Sequence, residues 1–383
     1  MNGLVIGAML ALGMMQQTDT TFAVGTAERL QVETLGGSII VDVWDRAEVR
    51  VQAEHSSRTF VDINRRRGVI DIEAEARRGP ANMVDFHITV PRTMALDLVG
   101  MYADITVEDS DGAVEAETMQ GDITIRGGRG TVQVSSTMGK ILVEGAEGRI
   151  EIESSTADIH VRDSSGEIFA ESAAGSIVLE NVRATTVDIG STGGRVYFEG
   201  SLDPSGTYFF GAHGGSITIV VPEGAEASFS LATVHGSITS NLTGESRSFR
   251  RGERHKFEVG GGGALVEAES YGGRIRILRQ GSEGARAPEP MEHGVAMARP
   301  AGRARVDVSV PLGPAIAARV SSVVVPRVIA RVQEMLNRDH DYDYDFDYDF
   351  DYDFDFDFGF GSHDDAGHGQ QMRGPRRPAT IRR

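Results

Sequence analysis

The chain has 383 residues, which is enough for one large domain or two ordinary ones. Its 38 basic and 56 acidic residues give a formal net charge of -18, so we expect no nucleic-acid partner, because nucleic-acid binders need a basic surface. The absence of cysteine excludes disulfides, thiolate metal sites and a thiol nucleophile.

The N-terminus has the pattern of a secretory signal peptide. Residues 4–12 form an apolar run that is too short to span a bilayer but has the length of a signal-peptide core. The small residues Ala11 and Gly13 supply a cleavage pattern, although no Lys or Arg precedes the apolar run. We interpret residues 1–16 as a signal peptide and expect export to the periplasm, the cell surface or the medium.

An 18-residue repeat dominates the centre of the chain. Residues 95–184 divide into five consecutive units, and each contains two short stretches in which apolar and polar residues alternate, such as Val132/Val134 and Ile141/Val143. Alternation with a period of two predicts β-strands with one buried face, and the Gly-rich unit ends predict turns. Weaker units extend the repeat domain to residues 21–280, and the less regular segments 21–90 and 200–278 are the expected caps.

One outward position in each unit favours a parallel coil over an antiparallel meander. It follows the second strand, and its charge alternates in sign along the chain: Glu108, Arg126, Glu144, Arg162 and Glu180. In a parallel coil, residues one repeat apart stack about 4.8 Å apart, so each Arg would lie between two carboxylates. We therefore predict an all-β fold, a single-stranded parallel β-solenoid with 18-residue rungs, in which these five residues form a structural charge ladder.

The outward residues of the first strands predict an acidic face on one side of the coil. Its carboxylates come from several successive units: Asp97, Glu115, Glu117, Glu151, Glu153 and Glu171. Solubility is a sufficient explanation for such a face. We also hypothesise that these residues form a binding face for cations or cationic polymers of the cell envelope.

The repeat resembles a known family. The segments GGSIIVDVWDRAEVRVQAE (36–54) and ITVPRTMALDLVGMYADITVED (88–109), with the recurring GDITI-type strands, are similar to a bacterial, envelope-associated β-strand-repeat family of unknown function whose members carry an adhesin label. The resemblance covers roughly residues 30–278. It implies an exported, adhesin-like binding or scaffold domain whose partner is an envelope polymer or protein, and it supplies no catalytic residues.

A catalytic alternative rests on one outer row. Some parallel β-helices act on polysaccharides through clustered carboxylates, and here the candidates are Asp104, Asp122, Lys140 and Asp158, with His160 beside them. A solvated charge row explains these residues more simply. We predict no catalytic, cofactor or metal site and therefore no enzyme; a carbohydrate-active enzyme is one alternative, and a regulatory envelope-stress component acting through the C-terminal segments is another.

The C-terminal third changes in composition. Residues 281–313 are rich in Pro, Gly, Arg and Ala without periodicity, which is typical of a flexible linker. Apolar residues then recur at three- and four-residue spacing, which predicts an amphipathic helix over 314–338, interrupted at Pro326. Docking onto an end of the solenoid is the simplest role for this helix; self-association or peripheral contact with an anionic membrane is the alternative.

The last segment, 339–383, is a low-complexity tail in which Asp first alternates with Tyr and Phe and a basic end follows. Repulsion between the carboxylates predicts that the isolated tail is disordered. Because divalent cations or acid would neutralise the Asp row, we expect millimolar calcium or low pH to drive strand pairing and self-association. Circular dichroism and sedimentation of a tail peptide test this, and a peptide that responds to neither condition contradicts it.

Overall fold

The computed structural model describes residues 15–25, 28–76, 83–242, 247–248 and 254–288. All of them lie within the first of two units of the chain, Met1–His340. The predicted signal peptide up to residue 14, most of the predicted linker, the predicted helix 314–338 and the tail 339–383 lie outside the described residues. Within the described ranges no helix is long and apolar enough to cross a membrane.

The described residues form 23 β-strands. The N-terminal strands are β1 (Met15–Ala23), β2 (Arg29–Trp44), β3 (Glu48–Ser56), β4 (Thr59–Arg66), β5 (Val69–Ala76) and β6 (Val84–Pro91). The central strands are β7 (Ala95–Ser110), β8 (Val114–Gln120), β9 (Ile123–Gly127), β10 (Arg129–Met138), β11 (Lys140–Glu144), β12 (Glu147–Ser154), β13 (Asp158–Arg162), β14 (Ser165–Ser172) and β15 (Ile177–Ser191). The C-terminal strands are β16 (Val196–Ala212), β17 (Ile217–Val221), β18 (Ala227–Thr233), β19 (Ser237–Ser240), β20 (Arg247–Ser248), β21 (Arg254–Val259), β22 (Ala264–Ser270) and β23 (Arg274–Arg279).

The central rungs pair in parallel with a register of 18 residues. In the first strand of the rung, Val132 is the Cα partner of both Val114 and Ile150. In the second strand, Ile141 and Ile159 are partners in the same way. The structure therefore confirms the predicted all-β fold with a long parallel pairing consistent with a solenoid.

The strands form two ladders, which we name A and B. In stacking order, ladder A contains β4, β5, the first half of β2, the first half of β7, β8, β10, β12, β14, the second half of β15, the second half of β16, β22, β18 and β21. Ladder B contains β1, β3, β6, the second half of β2, the second half of β7, β9, β11, β13, the first half of β15, the first half of β16, β17, β23, β19 and β20. The inward side chains of both ladders belong to one buried hydrophobic cluster, because alternate residues of each strand point into the coil.

The rungs at both ends are not stacked in chain order. At one end, β2 pairs directly with β7, although about 50 residues separate the two strands in the chain. At the other end, β22 and β23 insert between the rung formed by β16 and β17 and the rung formed by β18 and β19. The repeat alone predicts consecutive rungs, so this order corrects that expectation. Antiparallel strands, including β4 and β21, lie outermost in the described part of each ladder and cover edges that would otherwise be unpaired.

Glycines at the turn before ladder B allow successive rungs to approach closely. A Cβ atom built on Gly215 would lie 1.7 Å from the carbonyl oxygen of Gly194, and one built on Gly194 would lie 1.9 Å from that of Gly175. The preceding residue, Gly214, has more space, since its Cβ would lie 3.7 Å from the carbonyl oxygen of Thr192. The requirement for glycine at this turn therefore comes from rung-to-rung contact.

Two adjacent alanine substitutions test this contact. Gly215→Ala should lower the free energy of unfolding by about 1–3 kcal/mol, because the added methyl group forces two rungs apart. Gly214→Ala is the matched control and should change it by no more than about 0.5 kcal/mol. Chemical denaturation of both variants measures the difference, and equal effects would contradict the proposed role of Gly215.

Candidate functional site

The first part of the charge ladder is held together by ion pairs. The Arg126 guanidinium contacts the Glu108 carboxylate through Nη1 and lies 3.3 Å from Glu144 Oε2 through Nε. All three side chains are partly exposed, so each pair contributes at most about 1 kcal/mol. The main consequence is for register, since an arginine between two carboxylates favours alignment of three successive rungs.

The second part of the ladder is arranged differently. Arg162 is stacked in register with Glu144 and Glu180, yet its guanidinium makes no ion pair with a described residue. Glu180 instead accepts a hydrogen bond from His160 Nε2. His160 lies on the same outer face two residues before Arg162, so it competes for the carboxylate that the alternating pattern assigns to the arginine.

The aspartates of the candidate catalytic row bind the backbone of the neighbouring rung. Asp104 Oδ1 accepts a hydrogen bond of 2.8 Å from the Asp122 N–H, and Asp122 Oδ1 accepts one of 2.7 Å from the Lys140 N–H. Asp158 Oδ1 accepts a bond of 2.7 Å from the Ser176 N–H in the same way. Each carboxylate thus satisfies a backbone donor one rung further along the coil.

The predicted acidic face lies on ladder A, but much of it is enclosed. Asp97 and Glu117 are buried, with 3% and 5% of their surface exposed. Arg29 lies 3.5 Å from Asp97 and 2.6 Å from Glu115.

The remaining carboxylates of this face lie further along the coil. Glu151 pairs with Arg149 at 2.5 Å, and Glu153 and Glu171 are partly buried. The six side chains therefore share one face without forming an open carboxylate surface.

The candidate catalytic row continues along ladder B with the opposite charge. Beyond Ser176, the equivalent outward positions are Arg195, Ser216, Arg274 and Ser237. In the printed sequence each of these residues follows a Gly in one of the weaker units that extend the repeat. The residue after the glycine was the signal that could have shown the change from aspartate to arginine.

An open groove of about 660 Å³ lies along this part of the row. We name it the arginine groove; it is lined by Ser216, His235, Gly236, Ser237, Gly272, Arg274 and Arg276. Arg274 and Arg276 come from β23, the rung that is inserted out of chain order. Arg274 and Arg276 line the groove because β23 is inserted between β17 and β19.

Hydrogen bonds to hydroxyl groups hold both arginines. Arg276 donates from Nε and Nη2 to Thr218 Oγ1 at 3.2 and 3.0 Å, and Arg274 Nε donates to Ser237 Oγ at 3.3 Å. Neither guanidinium, nor that of Arg195, makes an ion pair with a described residue.

An aromatic stack forms the turn beside the groove. The rings of His213 and Tyr271 are parallel with centroids 4.8 Å apart, and His235 contacts the Tyr271 ring edge-on at 5.0 Å. The three rings come from three different rungs, and their contacts hold the turns of these rungs together.

A carboxylate on the neighbouring outward row is already engaged. Tyr197 donates a hydrogen bond of 2.8 Å to Glu199 Oε2, and Gln280 donates one of 3.1 Å to Oε1. Burial, reinforced by the Glu199 carboxylate, raises the pKa of the Tyr197 hydroxyl. Tyr197 is therefore a neutral hydrogen-bond donor to Glu199 at physiological pH. Within the described ranges, no group of three or more His, Asp or Glu side chains is placed to hold a metal ion.

The aspartate-to-backbone bonds predict a structural effect. Asp122→Ala should lower the free energy of unfolding by about 0.5–1.5 kcal/mol, because the Lys140 N–H loses its acceptor. Asp122→Asn keeps an acceptor oxygen at the same place and should have a smaller effect. Chemical denaturation measures both, and an Asp122→Ala variant as stable as the wild type would contradict this assignment.

Comparisons with known proteins identify the family. The family model described as Toastrack DUF4097 matches residues 25–262, and no curated protein matches the chain. A solved structure of a putative cell adhesion protein from Clostridium sporogenes is 10% identical, with 70% of this chain and 100% of that chain covered and a TM-score of 0.19. The family match spans more than half of the sequence, and the chain therefore belongs to the Toastrack family of domains of unknown function, DUF4097.

Proposed function

We propose that the chain is a non-enzymatic, adhesin-like binding or scaffold domain that acts at the bacterial cell envelope. The observation that carries this proposal is the parallel stacking of rungs, which arranges equivalent side chains into continuous outward rows along the coil. Such rows give a rigid surface with a regular spacing of about 4.8 Å, which suits an extended partner better than a small substrate.

The positions of the aspartates support a role without catalysis. A general acid or base must be able to take up and release a proton during the reaction. The carboxylates of Asp104, Asp122 and Asp158 instead accept backbone hydrogen bonds from the next rung. This arrangement explains why the row recurs along the coil without requiring a substrate.

The sequence supports an envelope location. The apolar run at residues 4–12, followed by small and polar residues, favours export. A charged outer surface on an exported coil is available to polymers and proteins of the envelope.

A pull-down from envelope material tests the proposal. The full chain and a variant lacking residues 314–383 should retain the same material, because the coil carries the outward rows. Cell fractionation should place the full chain outside the cytoplasm.

Three outcomes would contradict the proposal. They are a chain confined to the cytoplasm, retention that requires residues 314–383, and turnover of polysaccharides that Asp122→Ala and Asp158→Ala abolish. The second would favour the regulatory role and the third the carbohydrate-active enzyme.

A further inference from the structure

We propose that the arginine groove, together with Arg195 two rungs from Arg274, binds a linear acidic polysaccharide, whose carboxylates pair with Arg274 and Arg276 in the groove and with Arg195 beside it. This inference rests on the proposed binding function and names the ligand class. It places recognition on ladder B, whereas the acidic face that the sequence indicates lies on ladder A.

The charge of the groove favours an anionic ligand. The chain carries a net charge of -18, and other arginines of the coil, such as Arg126 and Arg149, lie against carboxylates. Arg195, Arg274 and Arg276 have no such partner among the described residues, and the groove lining contains no carboxylate. Like charges on this outer face repel one another, and an anionic ligand would relieve that repulsion.

The orientation of the guanidinium donors favours a carboxylate. Thr218 and Ser237 hold Arg276 and Arg274 from one side of each guanidinium. Both Nη atoms of Arg274 and Nη1 of Arg276 make no hydrogen bond to a described residue. A planar guanidinium with its remaining N–H groups available can bind a carboxylate through two parallel hydrogen bonds.

Charged groups and hydroxyl groups alternate along this part of the coil. Arg195, Ser216, Arg274 and Ser237 occupy successive rungs, so the two arginines are roughly 9.5 Å apart at their backbones. Serine hydroxyls both donate and accept hydrogen bonds, as sugar hydroxyls do. A linear polymer with recurring carboxylates and intervening hydroxyls matches this pattern.

An anionic lipid surface fits the groove less well. The lining residues are all polar, charged or glycine, so the groove offers no apolar anchor for a lipid surface.

Isothermal titration calorimetry of the full chain against oligomers of polygalacturonate tests the proposal. The wild type should bind them, and the methyl-esterified oligomers, which lack the charge, should bind at least about tenfold more weakly. The double variant Arg195→Gln/Arg274→Gln should also raise Kd by about tenfold or more.

The matched control is Arg254→Gln. Arg254 lies on ladder A at the same end of the coil and pairs with Glu267 and Glu269. This variant removes the same kind of charge and should keep Kd within about twofold of the wild type. Inorganic phosphate and vesicles containing phosphatidylglycerol, titrated in parallel, distinguish other anion sources.

Several results would overturn the groove assignment. They are no binding of polygalacturonate by the wild type, equal weakening by Arg254→Gln, unchanged binding by the double variant, and tighter binding of phosphate or vesicles than of the oligomers. An envelope pull-down with the double variant separates the two proposals. If the double variant retains envelope material as the wild type does, the groove assignment fails and the envelope function stands. If the wild type retains no envelope material, the envelope function fails independently of the groove assignment.

Discussion

Parallel backbone hydrogen bonding between rungs is the constraint on which the rest of this molecule depends. It places each residue about 4.8 Å from the residue at the same position of the next rung, so every outward row is a column of equivalent side chains. Identical charges in such a column repel one another. The chain meets this constraint by alternating charges around Arg126, by using Asp122 to bind a backbone N–H, and by placing Ser216 between two arginines.

Because each outward row is a column of equivalent positions, a change of residue type along one row makes the charge of the coil differ along its length. One outward row of ladder B carries aspartates in the central rungs and arginines towards the C-terminal end. Where the side chains bind the backbone, as at Asp104, the row reinforces the stack. Where the side chains have only hydroxyl partners, as at Arg274, the row carries positive charge without an ion-pair partner among the described residues. In the binding function that we propose, stability and recognition are distributed over different rungs of a single repeated position.

The local repeat was sufficient to predict the central rungs, because the alternation of residues such as Val132 and Val134 determines both the strand and its buried face. The rung order at the ends was not predictable in this way. The strand that contains Ile275 has the same local signature as those of Ile217 and Ile238, and only long-range packing selects its place between them. The repeat pattern also does not predict side-chain partners, since it does not show that His160 donates a hydrogen bond to the carboxylate of Glu180.

Disulfide trapping of this rung order is the most direct measurement, because the natural chain has no cysteine. The structure places Ser216 and Arg274 on adjacent rungs, within the backbone separation that a disulfide can bridge, and Ser216 and Ser237 two rungs apart, beyond it. Ser216→Cys/Arg274→Cys should therefore form an intramolecular disulfide under mild oxidation, and Ser216→Cys/Ser237→Cys should not. A bridge in the second variant and none in the first would mean that the rungs follow chain order, and it would contradict the stacking on which the arginine groove depends.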